Sequence, residues 1–216
     1  MKATQVRHSE RGFSLLEIMM VVALILIMGS ITFMSLIPAL KAQRVVNAYN
    51  TTLSAMRQAR DNAISQRSSY SVTFTSSSGV NTITVAPTLT GGFQGQQSTA
   101  VYTLPSDVGF YADPVLAATA PPDGYGAGLL AIDFGYTANG NNGGQTTLYF
   151  CPDGSAQDSE NGAGNCLGSV DGGVVYIARS GETLSSRAIS LWGGTGRVRG
   201  WRLYPKSGGG YQWVRQ

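Results

Sequence analysis

The sequence predicts an α+β protein: one long N-terminal helix followed by an antiparallel β-sheet domain. Three observations carry this. Residues 13–37 are almost wholly apolar, with Glu17 as their one charge. Residues 39–67 keep apolar side chains at helical spacing, and from residue 70 the apolar period drops to two. All the strand-like segments follow the helix, which is the order of an α+β chain, not of an alternating α/β one. The 28 glycines suit a sheet domain with many turns.

The apolar run has 25 residues, and about 20 are enough to cross a bilayer as a helix. A helix satisfies its own backbone polar groups in lipid. Glu17 is the exception, because a carboxylate at mid-membrane costs roughly 2.5–3.5 kcal/mol on insertion scales. Some compensating interaction must keep it there. Residues 1–12 hold Lys2, Arg7 and Arg11 against Glu10, and positive charge marks the cytoplasmic side. The bulk of the chain is therefore expected outside the cytoplasm. A secretory signal would have an apolar core of about 7–15 residues and a small-residue cleavage site. The run here is longer, carries Glu17 and lacks that site.

Gly12-Phe13-Ser14-Leu15-Leu16-Glu17 resembles the processing signal of type IV prepilins and type II secretion pseudopilins. The resemblance implies a leader of residues 1–12, cleaved between Gly12 and Phe13 by a prepilin peptidase, and N-methylation of Phe13. It implies a single-pass inner-membrane protein with a periplasmic C-terminal domain. Its partners would be other pilin or pseudopilin subunits and the inner-membrane assembly platform. The physics agrees: the new α-amine at Phe13 is itself costly in lipid, and Glu17 lies one turn along to neutralise the amine of an adjacent subunit. Such a pair stabilises the assembled state, since unpaired buried charges are penalised far more than paired ones.

The expected layout is a transmembrane helix over 13–37, an amphipathic helix over 38–67 and a β-rich domain over 68–216. Gly29 and Pro38 are expected to soften the helix. Val45, Tyr49, Leu53, Met56, Ala59 and Ile64 draw its apolar face, while Lys41, Arg44, Arg57, Arg60 and Asp61 form a solvated opposite face. Alternation then predicts strands at 70–75 and 81–85 around a turn at 76–80, and further strands at 99–104 and 129–136. Apolar segments at 146–150 and 173–178 read as central strands. Segments at 187–192, 197–204 and 211–214 close the domain. Residues 139–144 read as a loop by composition, and 88–144 as a variable surface insert.

Phe150-Cys151-Pro152-Asp153-Gly154-Ser155 resembles a strand-to-turn segment of the GspH/FimT/FimU minor pseudopilins and minor pilins. Arg187-Ala188-Ile189-Ser190-Leu191 and Gly196-Arg197-Val198-Arg199 resemble the closing strands of that family. Cys151 and Cys166, an even pair in an oxidising compartment, read as a disulfide. Closing that loop would stabilise by about 3 kcal/mol in the chain-entropy model.

Catalysis finds no support, because the one histidine, His8, precedes the expected cleavage point. No cofactor is expected. Asp153, Asp158 and Glu160 could suggest calcium, but they lack the alternation of a calcium loop. Charge is distributed unevenly. Residues 68–182 hold nine acids and one base, whereas residues 183–216 hold six bases and no acid. The basic tail interleaves with Trp192, Trp201, Tyr204, Tyr211 and Trp213, a pattern suited to phosphate contact and base stacking. The FimT branch includes members that bind DNA through a C-terminal G-R-x-R element, which Gly196-Arg197-Val198-Arg199 resembles, so Arg197, Arg199 and Arg202 are candidate DNA-binding residues; the element also recurs in family members whose role is secretion. The competing reading pairs Arg197 and Arg199 with the acidic middle region of the same chain or of a neighbouring subunit.

Overall fold

The structure is a computed structural model, which describes residues 13–88, 98–137, 140–159 and 166–216. One α-helix, α1 (Leu15–Gln66), opens it, and twelve β-strands follow. The contacts divide the chain into two units, Met1–Lys41 and Ala42–Gln216.

In the first unit the described side chains are exposed, including Leu16, Ile25, Leu26 and Phe33. Such a surface needs an apolar surrounding, and the helix is long and apolar enough to cross a membrane. Two of its hydroxyls bond within the helix: Ser30 Oγ donates to the Ile27 carbonyl, and Thr32 Oγ1 to that of Met28. The helix runs unbroken through both Gly29 and Pro38.

The second unit is built on the rest of α1. Val45, Ala48, Tyr49, Thr52, Ala55, Met56, Ala59 and Ala63 are buried along one face. Ile64, expected on that face, is 41% exposed. The small Ala63 holds the core position, and Ile64 lies instead against the backbone at Gly154.

Strands β1 (Tyr70–Ser77) and β2 (Val80–Pro87) form a hairpin closed by Ser78 and Gly79, both at positive φ. This is the two-residue turn whose twist matches antiparallel strands. β3 (Ala100–Thr103) pairs with β2. β4 (Gly109–Phe110) and β5 (Ile132–Thr137) both pair with β9 (Asp171–Ala178). β6 (Gly140–Gln145) pairs with β5, and β7 (Thr147–Phe150) with β1. β8 (Ala156–Gln157) extends the first sheet, giving the order β3-β2-β1-β7-β8. The second sheet is built on β9 (Asp171–Ala178), β10 (Arg187–Trp192), β11 (Arg197–Pro205) and β12 (Tyr211–Arg215). Its order is β12-β11-β10-β9-β5-β6. All pairings are antiparallel.

Two expectations are corrected. Residues 140–145 form a strand, not a loop, because the β5 edge supplies backbone partners that composition cannot reveal. The supposed surface insert is structural: Val108 and Phe134 are buried, and four strands come from it. Residues 89–97 and Asn139 lie outside the described residues.

β9 shows why. Val175 and Ile177 face the core shared with α1, while Val174 and Tyr176 face a second cluster with Leu116, Ala188 and Leu203. All eight β9 residues are buried, so both faces of this strand are covered. Covering both faces requires a long, nearly continuous apolar run, and Val174-Val175-Tyr176-Ile177-Ala178 provides one.

Candidate functional site

Of the expected processing pair, Gly12 lies outside the described residues and Phe13 is 78% exposed. Glu17 sits in the first turn of α1, where its charge faces the positive end of the helix dipole. It makes no ion pair among the described residues. Phe13, Glu17, Ile18, Val21 and Val22 border a shallow recess of about 220 Å3. A carboxylate on an otherwise apolar surface is chemically suited to an ammonium supplied from outside the chain.

The Cys151 and Cys166 sulfurs lie at bonding distance, with Cα atoms 5.9 Å apart. Within the turn after β7, the Gly154 N–H donates to the Cys151 carbonyl and the Cys151 N–H to that of Ser155. Asp153 Oδ1 accepts from the Ser155 hydroxyl at 2.7 Å and its N–H at 2.8 Å, which holds the Asp153 carboxyl below its ordinary range. Asp158 is occupied similarly by Ser159 Oγ and the Ser169 N–H. Glu160 lies outside the described residues. Among the described residues no three His, Cys, Asp or Glu side chains gather to hold a metal.

The turn between β10 and β11 is docked onto this segment. Gly196 has φ +57, and a Cβ there would overlap the Gly154 carbonyl and crowd Arg60. Arg60 Nε donates to that same carbonyl at 3.2 Å. The glycine of the G-R-x-R element is thus required by backbone geometry and close approach. Gly200, four residues on, has the Tyr49 hydroxyl where a side chain would stand.

The three candidate arginines of β11 have different fates. Arg199 Nη1 pairs with Asp123 Oδ1 at 2.6 Å, and Asp123 is only 9% exposed. Asp123 Oδ2 also accepts from Ser190 Oγ, which in turn accepts from Trp201 Nε1. Arg202 lies over the Tyr204 ring at 5.0 Å, an arrangement that adds a cation–π attraction. Arg197 is exposed and makes no ion pair among the described residues. The intramolecular half of the pairing expectation therefore holds for Arg199 and not for Arg197.

Arg197 instead borders two recesses. One, of about 390 Å3, it shares with Trp192, Thr195 and Arg199. The other, of about 460 Å3, it shares with Arg57, Arg60, Asp61, Thr195 and Gly196. Sequence reading put Arg57 and Arg60 on a plain solvated face. Nothing local links them to Arg197, about 140 positions away.

Two buried charges were also missed. Arg187 is 6% exposed and donates to the carbonyls of Ser185 and Ser186; burial, and then the nearby Arg202 charge, lower its pKa. Asp171 is fully buried, accepts the Gly135 N–H at 2.6 Å and leaves Oδ2 without a partner. Burial pushes its carboxyl up to about 6 against the pull of the Gly135 N–H, and the Asp158 charge adds to the rise.

Residues 7–33 match the family model of the prokaryotic N-terminal methylation motif. The chain carries a prepilin-type methylation motif. With the α+β architecture, this supports a type IV pilin-like protein, a structural subunit and not an enzyme. The match ends within α1, so it says nothing of the pilin-like sheet domain. No curated protein and no solved structure matches the chain.

Proposed function

We propose that this pilin-like protein is a minor pilin or pseudopilin of the GspH/FimT/FimU type. It is an inner-membrane precursor whose residues 1–12 are removed by prepilin peptidase and whose Phe13 is methylated. Its sheet domain faces the periplasm, and the inner-membrane assembly platform draws it into a type IV pilus or a type II secretion pseudopilus. The observation that carries this is Glu17, the only charge in the apolar run of residues 13–37, placed inside the matched motif. Head-to-tail contact repeated without closure gives a filament, and in it Glu17 meets the Phe13 amine of the next subunit. Mass spectrometry of the membrane-extracted protein tests the reading. A chain beginning at N-methyl-Phe13 is expected; a chain retaining residues 1–12 in assembled filaments would end it.

A second reading is DNA capture by the basic C-terminal strands. It is favoured by Trp192, 48% exposed and beside Arg197 and Arg199, since an exposed aromatic face next to cationic side chains suits a stacked base and its phosphate. Titration with duplex DNA at several salt concentrations tests it. Loss of binding in Arg197→Ala plus Arg199→Ala is expected, and indifference to both changes removes it.

A further inference from the structure

The recess between the second half of α1 and the β10–β11 turn brings Arg57, Arg60 and Arg197 together, with Asp61 as its one acid. Arg60 is held by the Gly154 carbonyl, so the cluster is fixed in place on the disulfide segment. Arg57 and Arg197 are exposed and in no ion pair among the described residues.

The disposition of charge elsewhere in residues 42–216 says what this recess accepts. Asp113, Asp133 and Asp171 are buried. Asp107 is shared by Arg44 and Arg179, Asp123 is held by Arg199, and Glu182 by Arg179. Among the described acids of this unit only Asp61, Asp153 and Asp158 are neither buried nor in an ion pair, and the last two hold their own turns. Cations behave oppositely: Arg57, Arg67, Arg197, Lys206 and Arg215 are exposed and in no ion pair. Most of the described acids are thus buried or paired, while five bases stay exposed and outside ion pairs among the described residues. A second copy of this chain would bring a cationic surface to a cationic recess, and like charges in contact are repelled.

We infer that the Arg57–Arg60–Arg197 recess docks an acidic segment of a different protein chain, whose Asp or Glu side chains seat on Arg57 and Arg197. That this chain is a neighbouring subunit rests on the proposed function; the carboxylate chemistry does not. The guanidinium fork matches a carboxylate in two parallel hydrogen bonds. A peptide also brings N–H donors for Asp61, whereas a phosphodiester backbone brings only acceptors and is repelled there. The site is compact, while specific DNA interfaces bury about 1,000–2,500 Å2 of protein surface.

The full-length protein in detergent is titrated with a fluorescent hexaglutamate peptide, and in parallel with a thymidine oligonucleotide. The peptide is expected to bind at low salt, about tenfold more weakly to Arg57→Gln plus Arg197→Gln, and unchanged to Lys206→Gln plus Arg215→Gln. Both recess arginines are exposed, so the double variant should melt like wild type; otherwise Arg57→Gln alone serves for the comparison. A peptide that does not bind, or that ignores the recess substitutions, overturns the inference. Oligonucleotide binding that needs Arg57 and Arg197 where the peptide has none assigns the recess to nucleic acid instead. Self-association in sedimentation, lost in the double variant, overturns the assignment to a different chain. The start of the mature chain is measured separately, so failure here and failure of the subunit reading are distinguishable.

Discussion

The two units of this chain leave opposite things unfinished. In residues 13–41 the unfinished part is apolar: a whole helix surface lies exposed, with one carboxylate set into it. In residues 42–216 a buried apolar core is complete. Two clusters fill both faces of β9, and what remains open is a set of cations around Arg197. The first unit asks for lipid or sister helices; the second asks for an anion. The two requirements are separable, so substitutions should damage one without the other.

Glu17→Ala should have the largest effect and should fall on the first unit alone. If Glu17 neutralises a neighbour's amine, its removal leaves that amine buried and unpaired, at about 3–5 kcal/mol. Incorporation into filaments should fall more than about 100-fold by immunoblot of sheared filaments. The melting temperature of the sheet domain should not move. Normal assembly of the variant would show that Glu17 serves only the helix dipole.

Phe74→Ala is the converse. Phe74 is buried, with Phe110 at 5.6 Å and Phe134 at 5.4 Å between ring centroids. Truncating such a side chain costs about 3–5 kcal/mol. Urea unfolding of the variant should show that loss, while insertion of the apolar helix into membranes is unchanged. Equal damage to both would mean that the units are not independent.

Asp171 tests the inward placement of acids. Its folded pKa, about 6, lies above its ordinary 3.8, so the folded state binds the proton more tightly than the unfolded state. Stability from this group is full below pH about 4 and is lost as pH rises through about 6, by roughly 3 kcal/mol at 1.36 kcal/mol per unit. Asp171→Asn should flatten that slope. It should raise the melting temperature at pH 8, by less at pH 5, and change little below pH about 4. An unchanged profile would mean that the Gly135 N–H stabilises the carboxylate enough to offset its burial.

The balance between units also explains what sequence alone revealed. The helix was legible because an apolar run long enough to span a membrane passes directly into residues with apolar side chains at helical spacing. β1 and β2 were legible because alternation tracks one buried face. β4 and β8 are two residues long, too short for any period. β6 reads Gly-Asn-Asn-Gly-Gly-Gln and is a strand only because β5 offers a free edge. Ala63 carries a core position with so little apolar weight that Ile64 outbid it. The motif at the N-terminus was legible because its chemistry is local. The recess was not, because Arg57 and Arg197 meet only through the fold, and Arg199 gave no sign that Asp123 would take it.

The smallest effect belongs to that last pair, and it decides how sharply the second unit divides its cations. A double-mutant cycle with Arg199→Ala and Asp123→Ala should give a coupling of about 1 kcal/mol, the upper end for ion pairs near a surface. The value should change little with salt, because Asp123 is only 9% exposed and buried charge is weakly screened. Asp123→Ala should cost more than Arg199→Ala, since it also strips Ser190, and through it Trp201, of an acceptor. A coupling near zero would put Arg199 on the same footing as Arg197, as a cation available to an outside anion. The basic edge would then be a two-arginine strand surface beside Trp192, which favours nucleic acid; a measurable coupling leaves Arg197 to act with Arg57 and Arg60 across the recess.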